Sequence, residues 1–186
     1  MATPQEVRNI RLKNDYKEMQ NIKGNVVTWR ALSGNAPYVE EYELTVNLRS
    51  IIGQGSGNNP EYRDTHVLRV SLPADYPTSP PQIEMITTPY VFHPNFFTSG
   101  RWCYGSWVIS EGLGRHVVRM LKTLSYDLDV TNENSPANSS ANRWYLEKRN
   151  SGLFPCNSTT LPDPTKNRFE PKSVNKPKKK FVIKNR

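Results

Sequence analysis

Between positions 42 and 49 apolar and polar residues alternate without a break: Tyr42, Leu44, Val46 and Leu48 against Glu43, Thr45, Asn47 and Arg49. Successive side chains of an extended chain point to opposite faces, so this run predicts a strand with one buried and one wet face. A half-buried strand needs a sheet around it and a second layer over its apolar side. The rest of the chain offers both. Residues 26–32 are rich in β-formers and predict a first strand, 66–72 a third and 82–86 a short fourth. The loops between them are short, which predicts an antiparallel meander. Three prolines between Asp75 and Pro81 keep that stretch out of the sheet. Gly53 to Pro60 reads as a hairpin loop; its glycines precede no helix, so it is assigned no phosphate.

Helices flank the strands. Leu12, Tyr16 and Met19 form an apolar stripe within a helix predicted over 4–21, and Gly24-Asn25 ends it. Arg8, Arg11, Lys13 and Lys17 crowd its other faces. Val117, Val118, Leu121 and Leu124 have helical spacing and predict a helix over about 115–127. Asn138 or Ser139 can cap another, with Ala141, Trp144 and Tyr145 turned to the core and Gly152 and Pro155 stopping it. Strands first and helices after predict an α+β domain with helices packed on one sheet face.

From Pro155 the composition changes. Prolines interrupt a polar run, and Lys176, Lys178, Lys179, Lys180, Lys184 and Arg186 make a basic end. This predicts two parts: a folded domain over 1–154 and a flexible Pro/Lys-rich tail over 155–186. The net charge of +8 leaves nucleic acid as a rival partner, but the folded part holds no recognition motif for it. No apolar run is long enough to span a membrane, and the first residues have no signal-peptide pattern. A cytoplasmic setting with both cysteines reduced is therefore expected.

The stretch from Thr88 to Trp107 has neither helical nor strand period. Seven aromatic side chains pin it: Tyr90, Phe92, Phe96, Phe97, Trp102, Tyr104 and Trp107. An aromatic-pinned loop that presents a lone thiol, Cys103, is a candidate site. A thiolate is a good nucleophile, and a thioester keeps an acyl group reactive toward amines. A cysteine hydrolase would need a base beside the thiol, and His93 is the candidate on sequence alone. His66 and His116 are expected to be structural or surface residues, and Cys156 a bystander. Two cysteines and three scattered histidines make no zinc set, and no cofactor is expected.

His93-Pro94-Asn95, then Gly100 and Cys103 ten residues after the histidine, resembles the active-site signature of the ubiquitin-conjugating enzymes. The run Leu72 to Pro81 resembles that family's Tyr-Pro-x-x-Pro-Pro turn, and Asn134 to Tyr145 its entry into the helix after the site. The three patterns occur in the family's order over roughly residues 8–150. The resemblance implies a UBC-like fold: an N-terminal helix, a four-stranded meander, an active-site loop and two C-terminal helices. It implies that Cys103 takes the C-terminus of a ubiquitin-like modifier from an activating enzyme as a thioester and passes it to an amine of a protein target, usually lysine. His93 would brace the loop. Asn95 would stabilise the oxyanion or, equally, brace the backbone. Arg8, Arg11, Lys13 and Lys17 would meet the activating enzyme.

Several positions depart from the family pattern. Thr78 replaces a bulky ligase-docking residue, and Ser110-Glu111-Gly112-Leu113 replaces Ser-Pro-Ala, which leaves the use of a ligase open. Around the acceptor site, Ser135 stands where an Asp is common, Phe97 where some members have Tyr, and Tyr104 where Leu follows the cysteine. With the lengthened second and third strands, these departures resemble bacterial relatives that work with ubiquitin-like modifiers. The rival within the resemblance is an inert UBC-like module that only binds a modifier or partner.

Overall fold

Thr3 and Glu6 close a reciprocal capping box at the start of the first helix, and Pro4 occupies its first turn. Two otherwise unpaired backbone donors are satisfied there, so α1 begins at Pro4 and runs to Ile22. The structure is a computed structural model, and it describes residues 3–166 of the 186. Four strands follow: β1 (Val27–Asn35), β2 (Tyr38–Gln54), β3 (Pro60–Ser71) and β4 (Gln82–Met85). They pair antiparallel in chain order, the predicted meander. Two helices complete the α+β fold, α2 (Leu113–Leu124) and α3 (Ser139–Lys148), and Asn138 caps the latter through Ala141 N at 3.1 Å.

Trp29, Leu44, Leu68 and Met85 lie in register across all four strands. With Val27, Tyr42, Val46, Val70 and Ile83 they form the inner face, and α1 and α2 cover it in one continuous core. The outer face carries crossed charges instead, Arg30 on Glu43 and Arg69 between Glu41 and Glu84. Exposed pairs of this kind set register more than stability. The second and third strands are longer than their alternating cores. Ser50 to Gln54 pair with Arg63 to Pro60 beyond two irregularities in the ladder. That end of the hairpin joins a second cluster of Ile51, Tyr126, Trp144 and Tyr145, backed by Phe92 and Phe154.

Asp15 is 1% exposed, an acid inside a stripe read as apolar. Its carboxylate accepts from Leu113 N at 2.9 Å, and Glu18 accepts from Gly114 N at 3.0 Å. Acids of α1 thus cap the positive end of α2, a favourable placement of negative charge. A Cβ on Gly112 would collide with the Glu18 carboxylate, so a side chain there would have to displace this cap.

Contact with the domain does not end at Pro155. Cys156 N donates to Ser125 O at 2.8 Å, Leu161 packs against the main core, and Pro164 O accepts from Asn21 at 2.8 Å. The segment therefore runs back along α2 to the end of α1. A polar, proline-broken composition hid this, because one leucine and a few backbone groups suffice to dock it. The basic end expected from Lys176 to Arg186 lies outside the described residues. Among the described residues no helix is long and apolar enough to cross a membrane.

Candidate active site

The loop after β4 is held in place by its own backbone. Trp102 N donates to Ile83 O at 2.9 Å, Met85 N to Gly100 O at 2.9 Å and Cys103 N to Asn95 O at 2.8 Å. Gly100 sits at φ +86° against the Tyr90 ring, where a Cβ would approach within 2.8 Å. Only glycine suits both constraints. This turn delivers the chain to Cys103, whose side chain is half-buried.

His93 lies beneath that surface and is fully buried. Its Nδ1 accepts from Asn95 N at 2.9 Å, and its ring packs 4.1 Å from Tyr126. Burial pushes its pKa down to about 3, so the imidazole is neutral at physiological pH. Among the described residues no imidazole hydrogen-bonds the Cys103 thiol, so the site lacks the thiol–histidine pair of a cysteine hydrolase. His66 and His116 are buried, not on the surface. Pro94 O accepts from Ala137 N at 2.8 Å and Asn138 N at 3.1 Å. Asn95 Nδ2 donates to Asn132 O at 2.9 Å while its Oδ1 accepts from Asn132 N at 2.8 Å. The tripeptide thus ties the cysteine loop to the loop that leads into α3.

Cys103 stands on a ridge between two clefts. One, about 460 Å³, has an apolar wall from Pro73, Pro80, Ile83, Phe97 and Trp102. The other, about 320 Å³, is polar and holds Asn95, Arg119, Asp129 and Ser135. The three predicted acceptor-site residues are therefore divided. Ser135 lines the polar cleft, Phe97 the apolar one, and Tyr104 borders both. Two polar-cleft residues went unseen in the sequence. Arg119 looked like one more polar position on an amphipathic helix. Asp129 carried no motif, and only the return of the loop after α2 brings it to the cleft that Cys103 also lines.

The basic residues of α1 also divide. Arg8 donates to Glu40 at 2.5 Å and to the carbonyls of Pro73 and Ala74. Arg11 turns inward. It bonds Asp15 at 2.7 Å, Tyr76 OH at 3.0 Å, Ile109 O at 2.5 Å and the carbonyl of Glu111. Both arginines are engaged within the domain, unlike the exposed lysines of the same helix. Arg11 has a buried carboxylate to neutralise, and that requirement overrides its surface preference. Lys13 and Lys17 remain exposed. Cys156 donates to Arg49 O at 3.2 Å, and burial pushes its pKa up to about 11. Among the described residues no group of three His, Cys, Asp or Glu could hold a metal ion.

Taken together these features define a class: an α+β domain that offers one half-buried thiol between two clefts, with a buried, neutral histidine below it. The sequence profile of the ubiquitin-conjugating enzymes matches residues 11–152. The chain belongs to that family. It is 26% identical to Ubiquitin-conjugating enzyme E2 1 of Caenorhabditis elegans over 80% of this chain and 70% of the relative. It is 28% identical to Ubiquitin-conjugating enzyme E2 2 of Trichoderma harzianum over 75% of this chain and 84% of the relative. A shorter match, 36% identical over 34% of this chain and 30% of the relative, is to Ubiquitin-conjugating enzyme E2 T of mouse. These relatives are eukaryotic, and they lend no support to the expected bacterial kinship.

Proposed function

We propose that Cys103 carries the C-terminal acyl group of a ubiquitin-like protein as a thioester and transfers it to a lysine. One observation carries this reading: the half-buried thiol opens on a polar cleft that also holds Asn95 and a carboxylate, Asp129. In the first step the thiolate takes the acyl group from the activating enzyme. In the second a neutral amine attacks the thioester carbonyl, the C–N bond forms, the C–S bond breaks and Cys103 leaves as thiolate. The nitrogen loses a proton in that step. In this reading Asp129 holds the incoming ammonium, takes the proton it sheds to become the attacking amine and passes protons to solvent, the role for which Ser135 lacks a charge. Asn95 has one amide hydrogen beyond the one given to Asn132, and it is the candidate donor to the oxyanion.

Partner surfaces follow from what α1 leaves exposed. Lys13 and Lys17 are the basic positions open to an activating enzyme. Val7, Ile10, Val108 and Ile109 are exposed apolar residues, and the Arg11 bond to Ile109 O joins α1 to their loop. They are the candidates for a ligase contact despite Thr78. The test is charging with modifier, activating enzyme and ATP. A modifier-sized adduct that reducing agent removes is expected. Its absence with both ubiquitin and a panel of ubiquitin-like proteins would leave the domain a binding module.

A further inference from the structure

The chain after Cys103 crosses to α2 without regular structure. Gly105 in this crossing has φ +75°, and a Cβ there would meet nothing within 4 Å. The side chains of Tyr104 and Trp107 pack on the core, and Trp107 Nε1 donates to Pro77 O at 2.9 Å. The carbonyls next to the glycine are held from α2. Arg119 donates to Tyr104 O at 2.5 Å and to Ser106 O at 3.3 Å, the carbonyls on either side of the glycine. Its guanidinium also lies 5.4 Å from the Trp102 ring, on the residue before the thiol. The fork is aimed by Glu111, whose two oxygens accept from it at 3.0 and 2.8 Å. His116 Nδ1, at 3.3 Å from the same carboxylate, completes the cluster. Burial works against charge on Glu111, yet the bonds from His116 and Arg119 prevail and lower its pKa. A planar five-donor group suits this task, since one side chain must reach two carbonyls and a carboxylate together.

We infer that Arg119, aimed by Glu111, is a positioning residue for acyl transfer, holding the backbone that leaves Cys103 while the thioester is attacked. The inference rests on the conjugation reading above and adds a residue to it. Transfer needs the acyl carbon fixed relative to Asn95 and the incoming amine, and a displacement of about 1 Å can cost roughly 100-fold in rate.

The test uses the full chain as wild type, Arg119→Gln, Arg119→Lys and Glu111→Gln. Each is charged with ubiquitin, and discharge to free lysine is followed from the preformed thioester. Arg119→Gln and Glu111→Gln should both discharge about 10- to 100-fold more slowly. Arg119→Lys should recover only part, because an ammonium cannot span both carbonyls. Discharge at the wild-type rate from Arg119→Gln overturns the inference. So does a fall that Arg119→Lys fully restores, since charge alone would then suffice. A second arm needs no modifier: alkylation of Cys103 by iodoacetamide at neutral pH. Arg119→Gln removes a cation from the cleft and uncovers the Glu111 carboxylate, so alkylation should slow, whereas Glu111→Gln should speed it. If both variants change alkylation in the same direction, the cluster only stabilises the loop and the inference falls. If wild type accepts neither ubiquitin nor any of the panel of ubiquitin-like proteins, the conjugation reading fails on its own and the alkylation arm still decides the position of Arg119.

Discussion

The side-chain amide of Asn95 pairs with the backbone of Asn132 through two hydrogen bonds, donating to its carbonyl at 2.9 Å and accepting from its N–H at 2.8 Å. Asn95 is 4% exposed, and the pair joins the loop that presents the thiol to the loop that leads into α3. Bracing and oxyanion donation are therefore compatible, since the brace uses one of the two amide hydrogens. Asn95→Ala loses both bonds and should lower stability by about 1–3 kcal/mol as well as slow discharge. Asn95→Asp keeps the acceptor for Asn132 N but has no donor. Its discharge should fall roughly 100-fold or more, beyond what its smaller loss of melting temperature explains. Parallel losses of stability and rate in both variants would reduce Asn95 to a brace.

The two thiols should differ sharply. Cys156 keeps its proton at neutral pH, because its pKa is pushed up to about 11 by burial. Cys103 borders two clefts. Cys103→Ala should form no reducible adduct with modifier, and Cys156→Ala should form it normally. Gel analysis with and without thiol reductant reads both, and an adduct that persists in Cys103→Ala refutes the assignment.

Asp129 is assigned to the acceptor amine. Asp129→Asn should slow discharge to lysine by about 10-fold near pH 7. The deficit should shrink toward pH 10, where the free amine no longer needs help to lose its proton. A discharge rate profile from pH 7 to 10 reads this, and a deficit independent of pH would point to a steric role.

Stability should fall on mild acidification. The pKa values of His93 and His66 are pushed down to about 3 and about 4, largely by burial, from an ordinary 6.5. Below pH 6.5 the unfolded chain takes up protons that the folded chain refuses. Stability held above 6.5 is therefore lost as pH falls toward the folded-state values. By pH 5 each histidine contributes roughly 2 kcal/mol of that loss. Melting temperatures from pH 8 to 4.5 should show the slope, and His66→Gln should flatten it.

Removing the chain after Pro155 should destabilise the domain. It deletes the packing of Leu161, the bond from Asn21 to Pro164 O and that from Cys156 N to Ser125 O. A loss of about 1 kcal/mol is expected from the partly buried leucine. An unchanged melting curve would show that this contact contributes nothing.

The alternation of Tyr42 to Leu48 and the helical spacing of Val117 to Leu124 determine the layers by themselves. A period is a local property: it states which face must be buried, and one sheet covered by helices satisfies it. His93-Pro94-Asn95 and Cys103 were legible for a similar reason, because a tight loop writes its residues close together in the chain. What the sequence left undecided were contacts between distant positions. Arg11 and Asp15 looked like ordinary charges of a helix surface until Leu113 and Tyr76 came to meet them. Asp129 and Arg119 join Cys103 only because the chain crosses to α2 and returns. The docking of Leu161 likewise depends on where α2 lies. Propensity acts along the chain within a turn or two, whereas burial and charge neutralisation are settled between segments far apart in sequence. Only the folded structure could decide which polar residues serve the core, which border the thiol and which are left to partners.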